Sequence, residues 1–362
     1  MSHGNAQKKI LVLRYRFIGD TILTVPFLRN LRRAEPDAYI AWVVAPGSSE
    51  VVQGIPYVDE LIFWDPVTIH ADSRGTHKTI GSKLEFIRSL RARRFGKVYV
   101  LKRSFGSALI GYLSGAAKRV GFATEGRSLL LTTTVTYRHD QHEVQNFLDV
   151  LRADGVQVAD DYLEYWTSKA EDAQAEELLA RNGVGPDEKL VALHPFSSIT
   201  ERGWHLDNFA ALATRLAAMG YRPLLLGAPN DRPLLDAASE SFGTTSVDLV
   251  GKSSLRTTMA LLKRCALFVG NDSGVMHLAA AAGIPLVAIF GPQSPVKFGP
   301  WSKQATVIYS QFPCSPCRQK FFTECQPSPH GKPECIESIT LASVVAACEQ
   351  LLAETVQSLE EL

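Results

Sequence analysis

The sequence predicts an α/β protein built from two doubly wound, Rossmann-like halves, and three observations carry the prediction. Apolar runs of strand length alternate with amphipathic stretches of helix length along most of the chain, the order that gives parallel sheets covered by helices. The pattern lapses over Asp160 to Ala170 and then starts again, so one linker joins two similar halves. At 362 residues the chain is long enough for two domains of ordinary size.

In the first half, Ile10 to Arg14, Tyr39 to Val44, Leu61 to Trp64 and Val98 to Leu101 read as strands. Helical spacing covers Asp20 to Ala34, Lys83 to Arg94, Phe105 to Leu113 and His142 to Ala153. In the second half the strands are Leu190 to Leu193, Pro223 to Leu226, Ala266 to Val269 and Leu286 to Phe290, with helices over Leu206 to Met219, Asp231 to Ser241 and Leu255 to Lys263. Ligands of such sheets sit beyond the carboxyl ends of the strands. Both halves are therefore expected to present their strand-to-helix loops to a shared cleft.

Residues 266–290 are the most informative stretch. The strand Ala266 to Val269 runs into Asn271, Asp272 and Ser273, all helix-capping types, and Gly274 lets a ligand approach the backbone. The helix ends at Gly283 and Pro285. A phosphate at its start would meet N–H groups and the positive end of the dipole, with His277 one turn further in. The same residues also describe an ordinary capped helix.

Three more loops carry candidate chemistry. After the first strand, Gly19 and Asp20 place a carboxylate at a helix start, where it either caps or faces a ligand; no G-x-G-x-x-G accompanies it. After Leu193, Ser197, Ser198 and Thr200 offer hydroxyls and Arg202 a planar cationic fork suited to phosphate. In LLLGAPND, Asp231 either caps the next helix or accepts from a ribose or base.

Charge totals hide an asymmetry. Lys and Arg number 38 against 37 Asp and Glu, but residues 1–165 hold 22 basic and 17 acidic side chains and the remainder 16 and 20. From Arg74 to Arg103 there are ten basic residues and one acid, Glu85, which is either a solvated face or the footprint of an anionic partner. No secretory signal is visible, and the apolar stretch Leu278 to Phe290 is broken by Gly283 and Pro285. A cytoplasmic protein touching a membrane surface is expected.

Four of the six cysteines cluster as Cys314, Cys317, Cys325 and Cys335 in a Pro-rich segment. They are either unligated cytosolic thiols or the four ligands of a structural zinc or iron. Cys265 and Cys348 read as core.

Taken together, these stretches resemble the heptosyltransferases of glycosyltransferase family 9. The resemblance rests on ILVLRYRFIGDTILTVPFLRNLRRAEPDA, NDSGVMHLAAAAGIPLVAIFGPQSP, the R-G-W of residues 202–204, LLLGAPND, and VLKRSFGSALIGYLSGAAKRVGFATEGRSLLLT of the heptosyltransferase II type. It implies a GT-B fold, with residues 1–165 as an acceptor-binding domain, residues 166–362 as an ADP-sugar-binding domain, and the final helix packing back on the first. It implies an inverting transfer from ADP-L-glycero-β-D-manno-heptose to the lipopolysaccharide inner core, with Asp20 as general base. The implied donor contacts are Ser197, Ser198, Arg202, Asp231, Asp272, Ser273, Gly274 and His277; acceptor contacts would come from Gly19, Lys102, Arg103, Arg119 and Arg127. The implied partners are the ADP-activated sugar, the anionic lipopolysaccharide acceptor and the inner-membrane surface, not nucleic acid, and the chemistry needs no cofactor. The alternatives are a family member acting on another glycan or protein, and a nucleotide-sugar binding module without turnover. His205 stands where the family usually has Pro, Lys102 and Arg103 replace a polar pair, and Gly106 replaces a Lys. These departures bear on the acceptor more than on the reaction.

Overall fold

The structure, a computed structural model, describes residues 7–66, 75–124, 126–325, 328 and 330–360. It divides into two units, Met1–Tyr162 and Leu163–Leu362.

The first unit holds one parallel sheet of β1 (Lys9–Leu13), β2 (Tyr39–Val44), β3 (Glu60–Phe63), β4 (Lys97–Val100), β5 (Lys118–Phe122) and β6 (Thr133–Val135), in the order β3-β2-β1-β4-β5-β6. The apolar runs of β1 and β2 are buried almost throughout, as expected of strands covered on both faces. The strand order reverses between β1 and β4, where Leu13 lies opposite Val100, so this is the point where a doubly wound sheet opens to a ligand. Gly121 in β5 is required by close approach: a Cβ there would lie 2.7 Å from the Val100 carbonyl oxygen.

One expected helix is divided. Asp20 to Ala34 forms Ile18–Ile22 and then Val25–Ala34, because Pro26 brings no N–H to continue the first helix. The second piece then anchors the segment where periodicity lapses. Buried Arg29 donates from Nε to Asp160 (2.6 Å) and from NH2 to the Tyr162 carbonyl (2.7 Å), while Asn30 bonds Ala159 and Asp160. Side-chain bonds, not a repeating backbone pattern, fix this stretch.

The second unit repeats the topology with β7 (Leu190–His194), β8 (Arg222–Leu225), β9 (Val247–Asp248), β10 (Cys265–Asn271), β11 (Leu286–Phe290) and β12 (Ala305–Tyr309), all parallel, in the order β12-β11-β10-β7-β8-β9. Counted from its own first strand, this is the order of the first sheet. Its core gathers Leu193, Trp204, Phe209, Leu216, Val269 and Ile289. The final helix is Leu341–Glu360. Its apolar face, Val344, Cys348, Leu351 and Leu352, is spent inside the second unit's core. Among the described residues no helix is long and apolar enough to cross a membrane.

Candidate active site

The reversal point of the first sheet is built by the loop after β1 and the loop after β4. Arg16 and Phe17 adopt the left-handed region, with φ of 81° and 61°, a conformation that costs L residues on the order of 1 kcal/mol or more each. This bent turn feeds the short helix that carries Gly19 and Asp20. Asp20 does not cap it. Phe17 holds the cap position, and the Asp20 carboxylate instead lies 2.5 Å from Arg14 NH2, both side chains being mostly buried. Arg14 was not singled out from the sequence, although a charged residue closing a buried strand was a visible signal.

From the loop after β4, Lys102 shares this neighbourhood. Burial first, then Arg14 and Arg16, bring its ammonium down to about 8, with Asp20 acting in the opposite direction. Its Nζ lies 5.0 Å from the Tyr15 ring centroid. Arg103 stacks 3.8 Å over the Tyr137 ring and lies 3.7 Å from Glu143. One carboxylate thus stands among several cations.

Two expected acceptor contacts are engaged with the backbone. Arg119 donates to the Leu130 and Ala116 carbonyls, each at 2.7 Å, and Arg127 is buried and donates to the Thr124 (2.6 Å) and Lys102 (3.3 Å) carbonyls. They brace the backbone. The basic run is also less uniform than its composition: Lys97 is tied 2.5 Å from buried Asp154, and Arg93 pairs with Glu60. Arg74 lies outside the described residues, while Arg88 and Arg91 are exposed.

The reversal point of the second sheet gathers most of the expected donor residues. Asn271, at the end of β10, accepts from Trp204 N–H (3.0 Å) and donates to the Pro195 carbonyl (2.8 Å), stitching the loop after β7 to the loop after β10. This fully buried residue entered the sequence reading only as a cap type. Ser273 is the true cap of Gly274–Ala282: its Oγ accepts from Met276 N–H at 3.3 Å and lies 3.4 Å from His194 Nδ1. His194 was also overlooked; burial pushes its imidazole down to about 4, so it is neutral at physiological pH. His277 is buried in the same helix.

Arg202 NH1 lies 3.8 Å from Asp272 Oδ2. Burial pushes the Asp272 carboxyl up to about 6, with Arg202 acting against it, and burial likewise lowers the Arg202 guanidinium. Among the described residues, Asp272 Oδ2 and Ser197 Oγ are buried without a hydrogen-bond partner. Such atoms are uncommon in a finished interior and call for a ligand or water. Ser198 is exposed next to them. Asp231 stands at the cap position of Arg232–Ala237, but its side chain makes no cap bond there; it accepts from Ala228 N–H at 2.7 Å, bracing the preceding turn, and burial raises its carboxyl. The nine-residue helix after Ser273 adds its first-turn N–H groups and dipole. The arrangement suits a diphosphate carrying a hydroxylated group.

Cys314, Cys317, Cys325 and Cys335 line one cavity of about 40 Å³ with Pro292, Phe312 and Phe321. Burial first, then the three other thiols, push the Cys335 thiol up to about 11. The four converge, yet among the described residues no three His, Cys, Asp or Glu side chains stand in position to share an ion. Cys265 and Cys348 are buried.

Two parallel sheets in this order, with these sites, define a GT-B glycosyltransferase. The sequence profile of glycosyltransferase family 9 (heptosyltransferase) matches residues 83–325, and the chain belongs to that family. The match takes in Arg202 and the Asp272 to His277 segment; Asp20 lies upstream of it. The chain is 28% identical over 321 residues to lipopolysaccharide heptosyltransferase 2 of Escherichia coli K12, an alignment covering 83% of this chain and 87% of that protein. Among solved structures, the family 9 glycosyl transferase from Veillonella parvula DSM 2008 superposes with a TM-score of 0.85 at 26% identity, covering 96% of this chain and 98% of that one. E. coli ADP-heptose lps heptosyltransferase II gives 0.74 at 24% identity, covering 96% and 99%. The iron-containing dodecameric glycosyltransferase TibC from enterotoxigenic E. coli H10407 shares the fold, with a TM-score of 0.59 at 15% identity over 96% of this chain and 77% of that one.

Proposed function

We propose that the enzyme transfers a heptose from ADP-L-glycero-β-D-manno-heptose to the inner core of lipopolysaccharide, inverting the anomeric centre. The observation that carries this reading is the Arg202–Asp272 pair, with Asp272 Oδ2 left without a hydrogen bond just before a helix and Ser197 Oγ likewise in the loop after β7. Arg202 and the N–H groups at Ser273 and Gly274 would hold the diphosphate. Asp272 and Ser197 would take hydroxyls of the donor. On the acceptor side, the Asp20 carboxylate takes the proton of the attacking hydroxyl. That oxygen bonds to the anomeric carbon as the carbon–oxygen bond to ADP breaks, and the electron pair leaves on the diphosphate. A positioned base of this kind contributes about 10²- to 10⁴-fold, and each donor to the departing charge about 10²- to 10³-fold. These groups supply the charge and the proton transfer without a cofactor.

Lys102, Arg103, Arg14 and Arg16 around Asp20 suit an anionic acceptor. A membrane surface is supported by a neighbouring face: Phe105, Leu109 and Tyr112 of one helix, with Leu129 beside them 90% exposed, are apolar, and Arg88 and Arg91 lie on the adjacent helix. Apolar side chains beside cations fit the cytoplasmic leaflet of the inner membrane. For the cysteines, convergence on one cavity supports a structural zinc or iron; metal analysis of purified protein finding neither would remove it.

Mass spectrometry of ADP-heptose incubated with stepwise-truncated lipopolysaccharide cores tests the reaction. Addition of one heptose to an inner-core acceptor is expected. Transfer only to another glycan or a protein would replace the acceptor, and no ADP release with any acceptor would leave a binding module.

A further inference from the structure

Arg202 is held from behind. Gln319 Oε1 accepts from Arg202 Nε at 3.1 Å and also from its NH2, across 117 positions of sequence. Gln319 sits at φ 61°, and its own N–H donates to Cys317 Sγ at 3.1 Å, while Cys317 N–H donates to the Pro292 carbonyl at 3.0 Å. The same segment grips the Arg202 loop twice more. Lys332 Nζ donates to the Thr200 carbonyl, and Glu337 pairs with His205 Nε2 at 2.7 Å while accepting from Ser328 Oγ at 2.6 Å. The loop is thus clasped before, at and after Arg202 by Lys332, Gln319 and Glu337. An arginine has many rotamers, and one whose Nε edge is fixed has only its outer edge left to aim. Here that edge carries NH1, the atom facing Asp272.

We infer that Gln319 is a positioning residue: it fixes the plane of the Arg202 guanidinium so that its outer edge is preset for the donor diphosphate. The inference rests on the reading of Arg202 as the diphosphate contact. Gln319 touches no reacting atom and acts only through Arg202. Its amide is neutral, so it orients the cation without competing for it as a carboxylate would. The His205 departure belongs to the same device, because a proline there would bring no side chain to Glu337.

The test is ADP binding by isothermal titration calorimetry to the full-length enzyme and to Arg202→Ala, Gln319→Ala and the double variant. A hydrogen bond to a charged group is typically worth about tenfold or more, and since Gln319 acts only through Arg202, Gln319→Ala should weaken ADP binding by part of that, about 3- to 10-fold. In the Arg202→Ala background it should add less than about twofold, since coupled residues are not additive. Steady-state kinetics should show a raised KM for the ADP-sugar and an unchanged KM for the acceptor, which a general loss of packing would not produce. Gln319→Asn tolerates the left-handed backbone but falls short of Arg202, so it should lose as much as Gln319→Ala. Gln319→Glu should weaken ADP further by pairing with the guanidinium. If Arg202→Ala weakens ADP while Gln319→Ala and Gln319→Asn bind it as the parent does, or if the two losses add, the positioning role is overturned and the Arg202 reading stands. If Arg202→Ala itself binds ADP normally, the donor reading fails first.

Discussion

Binding of the donor should pull a proton onto Asp272. Burial keeps this carboxyl up at about 6 and Arg202, 3.8 Å away, is the charge that opposes it. When a diphosphate takes over Arg202, that support is neutralised and a second anion arrives. A unit pair at this distance is worth about 4 kcal/mol at an effective dielectric near 20. Even after a severalfold discount for screening, the carboxyl should climb by about one pH unit. At pH 6.5 a group moving from about 6 to about 7 gains roughly half a proton. Calorimetry of ADP-heptose binding in buffers of different ionisation enthalpy reads this directly. The ADP-sugar is the right ligand because the terminal phosphate of ADP titrates in the same range. Asp272→Asn should abolish the uptake, which separates it from neighbouring His277 and His194. Uptake that persists in Asp272→Asn, or none in the parent, would refute the argument. Stability carries the opposite signature. A carboxyl raised above its ordinary 3.8 stabilises the fold most below about pH 4 and loses that contribution as pH rises through about 6.

Three further outcomes follow from the packing. A Cβ on Gly227 would lie 2.6 Å from a Phe196 ring carbon and 3.2 Å from Asp231 Oδ2, so Gly227→Ala should cost about 1–3 kcal/mol of stability and weaken ADP binding; an unchanged melting curve would contradict it. Asp154→Ala should cost about 3–5 kcal/mol in urea unfolding, because the fully buried carboxylate binds Lys97 at 2.5 Å and Tyr99 at 2.6 Å. Charge reversal of Arg88 and Arg91 together with Leu129→Asp should reduce sedimentation with anionic vesicles several-fold and leave ADP affinity alone; equal binding to vesicles would dismiss the membrane face.

The strands of the two sheet centres were legible because Ile10 to Leu13 and Leu190 to Leu193 are apolar on both faces. Several outer strands were not, although β3 at an edge was. β5 begins Lys-Arg and contains a glycine, β9 is two residues long, and β12 is half-buried along its whole length. The helix Lys169–Arg181 escaped because only Ala175 and Leu179 are buried in it. At the site, Asp20, Arg202 and Asp272 stood out because capping and cationic residues follow strand ends, a local signal. Their partners did not. Arg14 reaches Asp20 only through a left-handed turn, and Gln319 reaches Arg202 across most of a unit. The positive φ values fall on Arg16 and Phe17 rather than on glycine, so composition gave no warning of that turn. The backbone bonds of Arg119 and Arg127 were not legible, because a guanidinium reads the same whether it meets a phosphate or a backbone carbonyl.

The central claim assigns the base to the first unit and the donor grip to the second. Comparing Asp20→Asn with Arg202→Ala, in ADP-heptose affinity and in single-turnover rate with a saturating inner-core acceptor, tests it most directly. Asp20→Asn should keep donor affinity within about twofold and lose about 10²- to 10⁴-fold in rate, whereas Arg202→Ala should lose donor affinity as well as rate. An Asp20→Asn enzyme that turns over at the parental rate, or an Arg202→Ala enzyme that binds ADP-heptose unchanged, would contradict the account.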